Sequence, residues 1–201
     1  VGGKPASALL ERADERNAAL IVLGPHRRRA PLDFGDVARE VIAHAHCPVW
    51  VQHGAPQPIK RVVCALDLGQ NAVEVLTLAR DVARALGAEV LALHCFVRPE
   101  LGFLLGYPVQ FPASVVDGAR ESAEREFRRL LEPFDWRGVL HRHSFIEGDP
   151  ESELVEAQSQ CDLLVLGTHG RSGVVRALLG SVAAGVLRRA TVPVLVTRTG
   201  A

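Results

Sequence analysis

Runs of consecutive apolar residues with no polar alternation constrain this chain most. They are Leu20-Ile21-Val22-Leu23, Pro48-Val49-Trp50-Val51, Val62-Val63-Cys64-Ala65-Leu66, Val90-Leu91-Ala92-Leu93, Leu163-Leu164-Val165-Leu166 and Pro193-Val194-Leu195-Val196. A strand with one face in water alternates apolar and polar residues; a run that does not alternate suits a parallel strand covered on both faces. The stretches between the runs have helical spacing. From Ala72 to Leu86, residues Val75, Leu76, Ala79, Val82, Ala83 and Leu86 recur at steps of three and four, and Gly87 stops the pattern. From Ser114 to Leu131 a charged amphipathic helix carries Val115, Ala119, Ala123, Phe127 and Leu130 along one stripe. Val139 to Ile146 reads as a less buried strand. Strand and helix alternate throughout, which predicts an α/β fold with a parallel doubly wound sheet and right-handed crossovers.

The two ends of the chain register with one another. Gly3-Lys4-Pro5-Ala6-Ser7-Ala8-Leu9-Leu10-Glu11 matches Gly148-Asp149-Pro150-Glu151-Ser152-Glu153-Leu154-Val155-Glu156, Leu20–Gly24 matches Leu163–Gly167, and Cys47–Val51 matches Val192–Val196. The repeated unit reads helix, buried strand, loop, helix, buried strand. Residues 1–53 are therefore expected to hold the second half of a unit, 54–58 (Gly-Ala-Pro-Gln-Pro) a stiff linker, and 59–201 a complete unit.

Composition narrows the function classes. Positive and negative residues balance at 23 each, so nothing points to capture of nucleic acid or an anionic membrane. No apolar run approaches the roughly 20 residues of a membrane span, and no secretory leader is visible. The four cysteines, Cys47, Cys64, Cys95 and Cys161, form no CxxC pair and suit a reducing cytoplasm. The sequence holds no methionine, so Val1 is not read as a native start.

Candidate chemistry gathers around Gly167-Thr168-His169-Gly170, nine residues and then Gly180-Ser181. A strand ending in a glycine loop that feeds a helix is a phosphate cradle, because glycine lets backbone approach an anion and the helix start presents N–H groups. In doubly wound sheets ligands bind beyond the carboxyl ends of the strands, where strand order reverses. If the strands ending near Asp67 and Gly167 are neighbours, both open onto one crevice. The competing interpretation of the glycines is a tight strand-to-helix turn with no ligand.

These residues resemble the universal stress protein family in its ATP-binding branch, whose signature G-2x-G-9x-G-(S/T) is met by Gly167, Gly170, Gly180 and Ser181. Asp67 after the first strand, Leu93-His94-Cys95 and Val192-Pro193-Val194-Leu195-Val196 match as well. The resemblance covers 59–198 as a full domain and 1–53 as the tail of another, a tandem arrangement. It implies an open five-stranded parallel sheet in order 3-2-1-4-5 with helices on both faces. It also implies pairing of two domains through their last strands, Cys47–Val51 and Val192–Val196, within one chain or between two. For the site it implies ATP, with Mg, in the second domain. Asp67 and the backbone at Cys95 would meet the nucleoside end, and Gly167, His169, Gly170 and Arg171 the phosphates. At the helix start, Gly180, Ser181 and Val182 would face the terminal phosphate, with Ser181 capping the helix. Arg176 is a further candidate for neutralising phosphate charge.

The matching stretch near the start departs from this pattern. Arg27 stands where Gly170 does, seven residues separate it from Gly35, and Asp36 replaces Ser181. A carboxylate there repels phosphate, so no nucleotide is expected in residues 1–53.

No P-loop sequence, nucleophile elbow or nucleophile–base pair is present, so no enzyme is expected. His44, His46, Cys47 and His53 make a weak metal cluster; His44 falls in the last turn of a helix, where a cation favours the dipole. His141 and His143 share one face of a strand without a third ligand. His94 and His169 lie near the crevice, and His169 either touches phosphate or is merely structural. Val97–Pro112 either covers the adenine pocket, meets another subunit or packs on its own domain. The expectation is a cytoplasmic ATP-binding regulatory protein acting by nucleotide-dependent shape or partnering. A non-nucleotide interaction module is the alternative. A nucleotidyl-transfer enzyme would need a histidine-rich motif after the first strand, which Asp67-Leu68-Gly69-Gln70 does not supply.

Overall fold

The computed structural model describes residues 4–24, 35–99, 103–104, 107–108, 111–168 and 179–198. The N-terminal segment forms α1 (Pro5–Glu15), β1 (Ile21–Leu23), α2 (Asp36–His44) and β2 (Val49–Val51). Then come β3 (Arg61–Ala65), α3 (Ala72–Leu86), β4 (Glu89–Phe96), β5 (Phe103–Leu104), β6 (Tyr107–Pro108), α4 (Ala113–Leu131) and β7 (His141–Glu147). The chain closes with α5 (Pro150–Ala157), a 3-10 turn at Gln158–Gln160, β8 (Leu163–Gly167), α6 (Ser181–Arg189) and β9 (Val194–Thr197).

Local chemistry sets several boundaries. Proline opens α1 and α5, where its missing N–H has no partner to lose. Asp149 caps α5 by accepting the Ser152 N–H at 2.9 Å. Gly87 ends α3 in the left-handed conformation at φ 64°, and its N–H reaches back to the last turn.

The expected sheet of five parallel strands is corrected to seven strands in the order β1-β2-β9-β8-β3-β4-β7. Every pairing is parallel except β2 with β9, which is antiparallel in the register Val49↔Val196, Trp50↔Leu195, Val51↔Val194. The physical reason lies in the apolar edges. β2 and β9 would each expose a row of unpaired backbone groups, and each satisfies the other's within the chain. The stretch 97–112 also differs from a plain loop: β5 and β6 pair as an antiparallel ribbon, Phe103↔Pro108 and Leu104↔Tyr107.

Helices cover both faces, in two separate cores. On one face Val41, Ile42, Leu154, Val186 and Leu187 pack against Val49, Val51, Leu164, Leu166, Val194 and Val196. On the other, Leu76, Ala79 and Phe127 pack against Val62, Cys64, Val90, Ala92, Leu163, Val165 and Leu195. Successive residues of β8 thus enter opposite cores, which is why its run does not alternate. The run Leu20–Leu23 was expected to be covered on both faces and is not: Leu20 and Val22 are 43% and 63% exposed, while Leu163 and Val165 are 0% exposed. α3 and α4 lie over β3, β4 and β8, and no described helix reaches over β1 on that side.

All four cysteines are free. Burial raises the Cys64 thiol above its ordinary value and pushes Cys161 up to about 12, so these thiols behave as small apolar groups. Among the described residues no helix is long and apolar enough to cross a membrane.

Candidate functional site at the carboxyl ends of two central strands

β3 and β8 are neighbours, paired in parallel with Val62 opposite Leu163 and Cys64 opposite Val165. From β3 the chain turns back through α3 on one face, and from β8 through α6 on the other. β4 then lies outside β3 and β9 outside β8. The two connections part between β3 and β8, the point at the carboxyl ends where doubly wound sheets bind their ligands.

Asp67 stands two residues past β3, half-buried, and its Oδ1 accepts the Gly69 N–H at 3.1 Å. Leu68 between them is buried with φ 56°, a left-handed conformation that L-residues avoid. Gly69 fits because any Cβ there would sit 3.0 Å from Asp67 Oδ2. The result is a tight loop that folds over its own carboxylate and leads into α3.

The base of this loop is tied to β4. Leu66 N–H donates to Leu93 O at 2.9 Å, and Leu66 O accepts from His94 Nδ1 at 2.7 Å. His94 is buried between rings, with centroids 5.3 Å from Phe145 and 6.0 Å from Phe127. Next along β4, Cys95 pairs with Ile146 of β7. Burial, then the carboxylates Glu153 and Asp149, push the Cys95 thiol up to about 12, so it is protonated at neutral pH.

On the neighbouring strand, Gly167 ends β8 opposite Thr197. Thr168 is buried; its N–H donates to Thr197 O at 2.9 Å, and its carbonyl accepts the Gly180 N–H at 2.7 Å. These bonds close the neck of the glycine loop. His169, Gly170, Arg171 and Arg176 lie outside the described residues. The closing role of Thr168 was not foreseen, because a threonine between glycines carries no signal of burial.

Ser181 was expected to cap α6. The N-cap is instead Gly180, at φ −58° and ψ 152°, which has no side chain to cap the helix. Ser181 is the first helical residue, one position too late to bridge the first turn with its hydroxyl. The backbone N–H groups of Ser181, Val182 and Ala183 therefore stand at the positive end of α6 without carbonyls four residues earlier inside the helix.

The N-terminal segment shows a similar strand pairing and helix start with different chemistry. β1 and β2 pair in parallel as β8 and β9 do, and α2 also starts after a glycine, Gly35 at φ 94°. Its first helical residue is Asp36, exposed and 3.9 Å from Arg39. A carboxylate thus stands where α6 has a hydroxyl. His26 and Arg27 lie outside the described residues.

Elsewhere several histidines have local partners. His44 Nδ1 lies 2.9 Å from Glu40 O in the last turn of α2, and His46 pairs with Asp14 at 2.6 Å. No three His, Cys, Asp or Glu side chains among the described residues gather as a metal site requires. His141 stacks on Trp136 at 4.1 Å. An open depression between α1 and α2 is lined by Glu11, Asp14, Glu15, Glu40 and His44, a mainly acidic surface that repels phosphate.

Comparison with known proteins agrees with this architecture. The chain is 30% identical over 203 residues to a universal stress protein of Mycobacterium tuberculosis, covering 96% of this chain and 66% of that one. It thus spans just under two thirds of that relative's length. A universal stress protein of Methanocaldococcus jannaschii is 31% identical over 142 residues, covering 69% of this chain and 82% of its own. Among solved structures, a Pseudomonas aeruginosa protein of unknown function superposes with a TM-score of 0.72 at 20% identity, over 98% of this chain and 69% of that one. A universal stress protein from Archaeoglobus fulgidus superposes at 0.63 with 20% identity, over 98% and 66%. The profile of the universal stress protein family matches residues 1–53 and 58–198, and the chain belongs to that family.

Proposed function

We propose that residues 59–201 bind ATP and that the protein is a cytoplasmic regulator, changing shape or partners with the nucleotide rather than turning it over. One observation carries this reading: β3 and β8 are neighbouring parallel strands, so the Asp67 loop and the connection that leads into α6 leave the same end of the sheet. The two ends of the crevice differ as the two ends of a nucleotide do. Asp67 offers a carboxylate to ribose or adenine donors, and the backbone at Cys95 flanks it. Gly167 and the N–H groups of Ser181 and Val182 offer an anion site, with no described carboxylate at the start of α6 to oppose it. His169, Gly170 and Arg171 would complete it by the family pattern. Mg would enter with the triphosphate, keeping waters as ligands. Residues 1–53 are proposed as the second half of a degenerate unit, in which Asp36 repels phosphate.

Thermal unfolding with and without Mg-ATP tests this, on the wild type and on Asp67→Ala and Gly170→Arg. At a hundred times Kd, linkage predicts about 2.7 kcal/mol of stabilisation. For a chain of this size that raises Tm by roughly 5–10 °C. The shift is expected to shrink in both variants. No shift at millimolar ATP in the folded wild type would sink the proposal. A second reading, an interaction module with an empty crevice, is favoured by the exposed side chains of Leu20 and Val22 on an otherwise apolar sheet.

A further inference from the structure

The loop from Leu66 to Asn71 has to hold Asp67 in place with little help from regular structure. It belongs to no strand or helix, and it passes through a left-handed residue, Leu68, that carries a side chain. Such a backbone persists only where its surroundings over-determine it. Several restraints do so here. The Leu68 side chain is buried in the core under α3, Gly69 N–H is held by Asp67 Oδ1, Gly69 O accepts the Ala72 N–H, and Leu66 is fixed at both its N–H and its carbonyl. The bond to the Leu66 carbonyl comes from the side chain of another strand, His94 of β4.

We propose that His94 is the positioning residue of the nucleotide site, setting the Asp67 carboxylate at the mouth of the crevice by holding the carbonyl immediately before it. A carbonyl can only accept, so Nδ1 carries the proton and donates it to Leu66 O at 2.7 Å. The ring is 6% exposed, packed between Phe145 of β7 and Phe127 of α4, and cannot rotate away without opening that packing. Leu66 O is thereby anchored to β4, the strand beside β3, and not merely to its own loop. The peptide plane that ends in Leu66 O also contains the Asp67 N–H. Fixing that plane fixes where the Asp67 side chain leaves the backbone. The role of this bond in ligand binding rests on the nucleotide reading above; its role in shaping the loop does not.

The experiment compares His94→Asn with His94→Leu and His94→Gln in the full chain. The Asn amide nitrogen lies one bond from Cγ, as Nδ1 does, and keeps a donor facing Leu66 O. Leu removes the donor, and Gln places it one bond too far out. Amide hydrogen exchange at Gly69 is read first, without ligand, with Val165 in β8 as the internal reference. Exchange at Gly69 should rise about tenfold in the Leu and Gln variants, stay near wild type in Asn, and leave Val165 unchanged. Affinity is read second, for adenosine, Mg-ATP and inorganic triphosphate. The Leu and Gln variants should lose about tenfold for adenosine and for Mg-ATP alike, with triphosphate unchanged, because only the nucleoside end is misplaced. If Leu proves too unstable to purify, the Gln and Asn variants carry the comparison. Equal behaviour of Asn and Gln at Gly69 would overturn the positioning role. Faster exchange at Gly69 with unchanged adenosine affinity would separate the loop from the site and also overturn it. A wild type that binds none of the three ligands would instead overturn the nucleotide reading, with the exchange result still deciding what His94 does to the loop.

Discussion

At the other pole of the sheet from the crevice, Asp162 does at the residue scale what His94 does near Asp67. Its Oδ2 accepts the backbone N–H groups of Lys60 and Arg61 at 2.9 Å each, and its Oδ1 meets the Arg61 guanidinium at 3.0 Å. One carboxylate so joins the start of β8 to the start of β3. Burial alone raises this carboxyl, but the hydrogen bonds from Arg61 and from the two amides outweigh it and hold the group below the usual carboxylate range. A carboxyl lowered in the folded state stabilises fully above its unfolded value of about 3.9, and that contribution fades as pH falls through the lower folded value. Asp162→Ala is therefore expected to lose about 1–3 kcal/mol at pH 7. In urea titrations the gap between variant and wild type should narrow from pH 4 downward; a gap independent of pH would exclude the charge as its source. Such a residue is hard to read from sequence, since its partners lie more than a hundred positions away. The places of Asp67 and Gly167 at the ends of strands are legible because each follows an apolar run. Ser181 was misread as a cap because a serine before a helical pattern fits both the N-cap and the first helical position.

At the scale of the element, β1 and β8 put sequence and environment in direct contrast. Leu20 and Leu163 hold equivalent places in their runs, yet one is 43% exposed and the other 0%. Hydrophobic patterning records which residues are apolar and at what spacing. It cannot say whether a helix will be laid over them, because that depends on connections elsewhere in the chain. α3 was legible over its whole span, Ala72–Leu86, since its stripe and terminal glycine are local signals. β7 was placed at Val139–Ile146 and forms at His141–Glu147, an edge strand whose histidines and arginine blur its limits. The contrast predicts that Leu163→Ala costs about 2–5 kcal/mol, as truncation in a packed core does. Leu20→Ala should cost less than about 1 kcal/mol, as at surface positions. Denaturant midpoints of the two variants check this. Equal losses would mean that Leu20 is covered in solution, and a dependence of its loss on protein concentration would identify a second copy as the cover.

Over the whole molecule, one ladder joins the N-terminal segment to residues 59–198 in a single sheet. β2 and β9 meet antiparallel, Trp50 opposite Leu195, and the core beneath them draws on α1 and α2 as well as α5 and α6. Removing residues 1–58 would take away β2 and leave β9, Val-Leu-Val-Thr, as an uncovered apolar edge. The simplest replacement for β2 is a second β9. Val49-Trp50-Val51 and Val194-Leu195-Val196 are alike in chemistry, and the pairing they make is already antiparallel. An antiparallel pair of identical strands is two-fold symmetric, so Leu195 would face Leu195 of the other copy and the contact would close after two chains rather than extend. The fragment 59–201 is thus expected to form a dimer by light scattering at micromolar concentration. The intact chain should not use β9 for association, because β2 already occupies that edge. A fragment that stays folded and monomeric would show that β9 tolerates an open edge. The β2–β9 ladder would then be a consequence of the shared core rather than what joins the two parts.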